Sequence, residues 1–357
     1  MAKPSNIVIV GGGISGVATS YFLAKRGVAC TLIDPVGIAP AASGKAGGFL
    51  ALDWNDGSPI GPLTRRSFAL HEELADTLGR STVDYRRLTC AAVACSGGGS
   101  LGPLAQKKAA GVEWADLGVH ASRSMGDEST IAQVHPKKLV DALWSEATRL
   151  AGSTLCLGRA TAVETDTDSG AVCGVRLDSG RSLTADAVLL AMGPWSPTWL
   201  GLPQAYGQKY HSLLMRPERT LTQSVFFQGL GDPEVYPRPD GTVYVTGFPD
   251  PPAVVTEAPG AVEVRKEVIE RLSSTMRKVS TELHEAGVEV AQSCHLPIVG
   301  DGVPVIGEVT GTPGAFVATG GGCWGILMGP ATGLAMSELL IDGKASSIDL
   351  APFSPAR

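Results

Sequence analysis

Apolar and polar positions repeat with different periods along this chain, and the changes of period mark its organisation. Asn6 to Val10 is a short, mostly apolar run of the kind buried on both faces in a parallel sheet. A glycine turn, a helix-period segment from Val17 to Arg26 and a second run from Thr31 to Asp34 follow. A similar apolar run returns at Asp186 to Ala191, and strands are predicted at Pro304 to Gly307 and Ala315 to Thr319. Helical periods cover Arg65 to Leu78, Lys137 to Leu150 and Leu327 to Leu340. Pro136 suits the first turn of the middle helix, and His135 before it reads as a capping or positioning residue. Short strands are predicted at Leu88 to Ala94, Ala160 to Thr165, Val172 to Leu177 and Ser182 to Ala185, with Asp178-Ser179-Gly180 as a hairpin turn. Residues 208–248 read as antiparallel strands with Pro and Gly turns, and the charged stretch Glu263 to Ala286 as a solvated outer helix. Residues 36–62, rich in Gly, Ala and Pro, predict no regular element, and Gly97-Gly98-Gly99 predicts a flexible loop.

The first glycine turn carries chemistry. Gly11-Gly12-Gly13-Ile14-Ser15-Gly16 fits G-x-G-x-x-G between a strand and a helix, and Asp34 ends the next strand. Each position has a physical role. Gly11 permits the tight turn, and Gly13 lets backbone N–H groups approach a pyrophosphate at the helix N-terminus. Gly16 allows close helix-on-strand packing, and Asp34 can accept from a ribose hydroxyl. A second glycine turn, Gly320-Gly321-Gly322-Cys323-Trp324-Gly325, precedes the last helix. Glycine turns at both ends imply one nucleotide domain assembled from separated segments, with a more antiparallel domain inserted between them.

The chain of 357 residues suits about two domains. With 45 glycines and 24 prolines it is turn-rich, which favours a sheet-based enzyme over a helical bundle. A net charge of −6 argues against nucleic acid or an anionic membrane as partner. No apolar run approaches the roughly 20 residues of a membrane span, and no leader-like segment is visible at the N-terminus. Seven cysteines without a C-x-x-C pair point to reduced thiols, so a cytoplasmic protein is expected.

Five segments taken together resemble the D-amino-acid-oxidase-like family of FAD-dependent oxidoreductases, within it a Tda3-like branch of fungal and plant proteins. They are Gly11 to Gly16 with Asp34; Ala42-Ser43-Gly44-Lys45-Ala46-Gly47-Gly48; Val188 to Trp195; Asp301 to Gly307; and Thr319 to Gly333, where Trp324 to Gly333 is the most specific. The resemblance implies an α/β fold: a Rossmann-like (GR2-type) FAD-binding domain, residues 1–85, 134–204 and 294–357, with an inserted, mainly antiparallel substrate domain, residues 86–133 and 205–293. It implies FAD contacts at Gly11, Gly13, Ile14, Ser15, Gly16, Asp34 and Pro35, and at Ala42, Ser43, Lys45, Gly47, Gly48 and Phe49. Further contacts are implied at Val163, Gly193 and Trp195, and at Gly321, Gly322, Cys323, Trp324, Gly325, Ile326 and Leu327. The implied chemistry is hydride transfer from a C–H beside nitrogen to flavin N5, on a small amine or amino-acid derivative. A single complete fingerprint means one dinucleotide, and no metal site is expected.

Two departures bear on the substrate. Leu296, in Cys294-His295-Leu296-Pro297, stands where family amino-acid oxidases carry a carboxylate-clamping arginine, and Cys323 stands where glycine oxidase carries another. A lost charge-assisted contact weakens carboxylate binding by roughly 1.5–3 kcal/mol. Simple amino acids are therefore expected to be poor substrates. Pocket candidates are His211, Arg238, His295 and Trp324. Cys294 falls where some relatives link the flavin covalently; a small buried packing residue is the other reading. Tyr244 and Val245 stand where sarcosine oxidase has an oxygen-activating lysine. Two alternatives thus stay open: a flavin dehydrogenase using an acceptor other than oxygen, and a flavin-stabilised regulatory or trafficking protein with little turnover.

Overall fold

The structure is a computed structural model that describes residues 4–95 and 111–357. The loop expected at 97–99 lies outside them. In chain order the main elements are β1 (Ile7–Val10), α1 (Ile14–Lys25), β2 (Thr31–Asp34), α2 (Gly61–Leu78), β3 (Cys90–Cys95), β4 (Val119–Gly126), α3 (Pro136–Ala151), β5 (Thr154–Leu157) and β6 (Ala187–Leu190). There follow β7 (Tyr206–Arg216), β8 (Ser224–Gln228), β9 (Glu234–Pro237), β10 (Val243–Gly247), α4 (Lys266–Val279), β11 (Gly287–Ile298), β12 (Val305–Glu308), β13 (Ala315–Thr319) and α5 (Gly325–Asp342).

Two large sheets divide the work. The first has strand order β12-β13-β6-β1-β2-β5, parallel except for the antiparallel edge strand β12. Its central strands β1 and β6 are buried at every position, which is why they read as unbroken apolar runs. The second sheet, order β11-β7-β10-β9-β8-β3-β4, is antiparallel except where β8 runs parallel to β3. A small sheet of Phe49–Ala51, Ile131–Gln133 and Arg86–Arg87 ties the two halves together.

Helices α1 and α5 pack through small residues. A Cβ on Gly333 would lie 2.5 Å from the Ala18 Cβ, and one on Gly329 would lie 2.2 Å from Ile14 Cγ1. Helix α5 is long and apolar enough to cross a membrane by length and composition, contrary to the reading of the bare sequence, and here most of it is buried inside the fold.

Other corrections concern elements made by distant partners. Residues 36–62 contain a short helix at Ala42–Lys45 and the strand Phe49–Ala51, whose partner Ile131–Gln133 lies some eighty residues away. The charged stretch from Glu263 forms a helix only over Lys266–Val279 and a short turn at Thr281–His284; it buries Leu272 and Met276 against the second sheet. The edge strand β4 carries no apolar signature in the sequence because it is polar and exposed, and β5, though apolar in Leu155, Cys156 and Leu157, is only four residues long and mostly exposed. The long strand β11 is likewise hidden there, since eleven residue pairings to β7 hold it and most of its first half is exposed.

Candidate functional site

A cavity crosses the carboxyl ends of β1, β2, β6 and β13, where ligands of open α/β sheets bind. At one end stand Asp34, Pro35 and the Gly158-Arg159-Ala160 segment. The G-x-G-x-x-G turn and Ala42-Ser43 form the middle, and Gly320 to Cys323, Gly325 and Ile326 close the other end, facing Leu296 and Pro297.

Three glycines of the first turn do different jobs. Gly11 has φ +119°, and a Cβ there would lie 2.2 Å from the Ala191 carbonyl oxygen. A Cβ on Gly16 would lie 2.2 Å from Gly11 O and 3.1 Å from Ile9 Cγ2, so the helix sits directly on the strand. Gly13 is different: a Cβ there would approach only Ser43 Oγ, at 3.2 Å, leaving its cavity side free for a ligand. The Ser43 hydroxyl accepts from the Ile14 N–H at 2.9 Å and so joins the second glycine-rich segment to the start of α1. Asp34 is held rigidly. Its Oδ2 accepts from Gly12 N–H at 2.9 Å, and its Oδ1 from Val36 and Gly37 N–H at 2.9 and 3.0 Å. Carboxylate oxygens have further lone pairs, so it can still accept from a hydroxyl in the cavity.

The opposite end depends on how α5 begins. Pro330 lies inside this helix and has no N–H to give to the Ile326 carbonyl, four residues earlier. Helix α2 supplies the missing donor: His71 Nε2 lies 3.0 Å from Ile326 O, and Ser67 Oγ accepts from Ala331 N–H at 3.0 Å. Burial pushes the His71 imidazole down to about 4, so it stays neutral and its Nε2–H donates. Thr319 Oγ1 donates to Gly193 O at 2.8 Å and fixes the glycine turn against the segment after β6. The positive end of α5 is thereby aimed at the cavity.

The sequence candidates divide. Gly11, Gly13, Ile14, Ser15, Asp34, Pro35, Ala42 and Ser43 line the cavity. So do Gly193, Trp195, Gly321, Gly322, Cys323, Gly325 and Ile326. Gly16 and Leu327 lie behind this lining as packing residues. Val163 does not line it. Val163 pairs with Val175 in a small sheet, and the cavity is instead met by Gly158, Arg159 and Ala160, the last being the first residue of that strand. Lys45 is turned aside, its Nζ donating to Ser293 O at 3.0 Å. Gly47 and Gly48 make room for other groups: Cβ atoms there would lie 2.2 Å from the Tyr236 ring and 1.9 Å from Val134 O. Phe49 stacks on Tyr236 at 5.3 Å between centroids, and Trp324 meets Trp54 edge-on at 6.2 Å.

The proposed pocket groups are also placed elsewhere. His211 is fully buried and its Nε2 accepts from Arg265 N–H at 3.1 Å; burial, then the nearby Arg265 charge, lowers its pKa. Arg238 donates to Ala46 O at 3.0 Å and lies 5.4 Å from the Tyr244 ring centroid. His295 Nε2 lies 2.7 Å from Glu257 Oε2. Burial would raise the Glu257 carboxyl, but the Glu263 N–H, His295 and Lys209 outweigh it and hold the group at about 2. The Glu257 backbone carbonyl in turn accepts from Trp195 Nε1 at 2.7 Å, which pins the 250–264 segment against the cavity wall. Cys294 is buried at the β11–β7 contact and does not line the cavity; burial pushes its thiol up to about 11.

Sequence reasoning missed the face of the second sheet that looks toward the α/β half. Leu213, Val225, Val235 and Val245 point away from it into a core with α4. By the two-residue period of strands, Tyr210, Leu214, Phe226, Glu234, Tyr236 and Tyr244 occupy the opposite face. Trp54, Phe226, Tyr236 and Phe49 touch one another there, with centroids 5.1 to 5.7 Å apart. Glu234 accepts from the Tyr236 hydroxyl.

The fold and site together define a flavin-type dinucleotide enzyme architecture: a parallel nucleotide sheet with an inserted sheet covering one end of the ligand cavity. The chain belongs to the FAD dependent oxidoreductase (DAO) family, whose model matches residues 6–339. It is 32% identical to a protein of Schizosaccharomyces pombe classed by name with the oxidoreductases, over 99% of both chains. It is 26% identical to TDA3 of Saccharomyces cerevisiae, over 98% of this chain and 94% of that one. Among solved structures, glycine oxidase from Geobacillus kaustophilus superposes with a TM-score of 0.80 at 23% identity, covering 100% of this chain and 99% of that one.

Proposed function

We propose that this chain oxidises a C–N bond of an amine or amino-acid derivative with FAD bound non-covalently in the cavity. The observation that carries the reading is the open face of Gly13 between the anchored Asp34 and the repaired N-terminus of α5. Asp34 would hold a ribose hydroxyl. The backbone at Gly13 to Ser15 would hold the pyrophosphate, and the first turn of α5 the electron-rich edge of the ring system. When bound, FAD would supply the hydride acceptor for a C–H beside nitrogen. What remains for the protein is to orient that C–H and shed water. Leu296 and Cys323 give the wall at that end no cationic side chain, which disfavours a bare carboxylate substrate.

The test is turnover of purified holoprotein with primary, secondary and tertiary amines in air, with peroxide detection. Peroxide formed with an amine and not with buffer alone supports the reading. A second reading, transfer to an acceptor other than oxygen, is favoured by the side chains at the sheet face: Tyr244 is stacked on Tyr236 at 5.8 Å, and Lys209 is engaged with Glu257 at 3.1 Å. Amine-dependent dye reduction without peroxide selects it. Neither peroxide nor dye reduction with any amine contradicts both.

A further inference from the structure

Glu234 is the feature the reading above does not use. It sits at the start of β9 on the sheet face turned toward the α/β half, where the Tyr236 hydroxyl donates to it. Among the described residues no lysine or arginine pairs with it, whereas Glu257 is met by both Lys209 and His295. Tyr236 on its own strand bonds it and Phe226 is its cross-strand partner; the other titratable groups that feel its charge are Cys90 on β3, Tyr210 on β7 and Cys323 from the second glycine turn. All are neutral at ordinary pH; Cys90, Tyr210 and Cys323 are pushed up first by burial and then by the Glu234 charge. Burial in turn raises the Glu234 carboxyl. Arg238, the cation nearest in sequence on this face, lies over the Tyr244 ring at 5.4 Å to its centroid and is engaged with Ala46 O.

Three further observations say what such a carboxylate faces. Cys323, whose thiol feels the Glu234 charge, lines the cavity, and its neighbour Trp324 meets Trp54 edge-on, so the carboxylate belongs to the sheet face that covers this end of the cavity. Arg159 is the only lysine or arginine in the described cavity lining, and it lies at the other end beside Asp34. The half-buried rings of Trp54 and Phe226 stand with Tyr236 around the same place, 5.1 Å from each other and, for Phe226, 5.7 Å from Tyr236. Glu234 is half-buried, and a carboxylate withdrawn even partly from water is costly without a cation. Aromatic faces attract cations and tolerate alkyl groups.

We propose that Glu234, walled by Trp54 and Phe226, is a subsite for an alkylammonium group, so that the substrate is a cationic amine recognised through its nitrogen and not through a carboxylate. This rests on the amine-oxidation reading and narrows it. A protonated substrate nitrogen held there can give its proton to the Glu234 carboxylate: the N–H bond breaks, an O–H bond forms, and a neutral amine faces a neutral acid.

The experiment uses holoprotein and two probes of matched size, benzyltrimethylammonium and benzoate, titrated by calorimetry and by the flavin difference spectrum. The expected result is saturable binding of the cation, little or no binding of benzoate, and at least tenfold weaker cation binding in Glu234→Gln that retains its flavin. Trp54→Leu should weaken the cation several-fold. If Glu234→Gln loses flavin, Glu234→Asp and Phe226→Leu are read instead, both expected to weaken the cation. Benzoate binding as tightly as the cation, or unchanged cation binding in these flavin-retaining variants, overturns the subsite. Anaerobic mixing with benzylmethylamine separates the two claims. Cation binding lost with Glu234 but no flavin reduction by the amine sinks the oxidation reading alone. Flavin reduction with cation affinity unchanged by the variants sinks the subsite alone.

Discussion

At the scale of single residues, the first glycine turn separates folding from ligand binding. Gly11→Ala adds a Cβ at a φ of +119° and 2.2 Å from a backbone oxygen, so nothing flexible can yield. It should lower stability by about 2–4 kcal/mol, visible in chemical denaturation even without FAD. Gly13→Ala places a Cβ that meets only a serine hydroxyl within the protein and should leave apo stability within about 1 kcal/mol, yet weaken FAD by about 100-fold through the lost close approach. Equal loss of stability in the two variants would refute the distinction. Cys294 offers a second residue-scale test. Its buried thiol, pushed up to about 11, is neither ionised at neutral pH nor on the cavity surface. Acid precipitation should therefore release the FAD, and mass spectrometry should find the Cys294 peptide unmodified; a flavin adduct there would contradict this.

At the scale of elements, the join between α2 and α5 gives a pH prediction. His71 has a folded-state pKa of about 4 against an ordinary 6.5, so the unfolded chain takes up a proton that the folded one resists. Its contribution is complete above pH 6.5 and is lost as pH falls towards 4, by up to about 3 kcal/mol. His71→Leu should flatten that part of the stability profile. It should also cost about 1–3 kcal/mol at neutral pH, because Ile326 O loses its replacement donor. Urea denaturation at pH 7.5, 6 and 5 reads both effects, and an unchanged pH slope in the variant would contradict them. This join also shows what a sequence conceals. Pro330 leaves the Ile326 carbonyl without its helical donor, and which side chain replaces it depends on a helix 255 residues away in the chain. Elements with their own period, such as β1, β6 and α3, were legible because burial on both faces or on one stripe sets the pattern directly. The strands Phe49–Ala51, β4 and β5 were not, because pairing partners rather than composition make them strands.

At the scale of the whole molecule, the lining of the cavity at the carboxyl ends of the first sheet was largely legible, and the inner face of the second sheet was not. Gly11 to Ser15, Asp34 and the second glycine turn meet at the carboxyl ends of the first sheet because each ends or follows a parallel strand of it. His211 and His295 looked like pocket groups by residue type, but strand alternation turns His211 into the core and Glu257 takes up His295. Glu234 carries no motif; only the register Glu234↔Thr246 and Tyr236↔Tyr244 shows which face it shares. One cavity of this kind should bind one FAD per chain and, at a free FAD concentration 100-fold above Kd, add about 2.7 kcal/mol to stability. The most direct test of the account is anaerobic reduction of the bound flavin, followed by absorbance, against a panel of amines, glycine and D-amino acids. The account predicts bleaching by at least one alkylamine, at rates well above those with glycine or simple D-amino acids. A flavin bleached by the amino acids and untouched by every amine, or by no compound of either class, would contradict it.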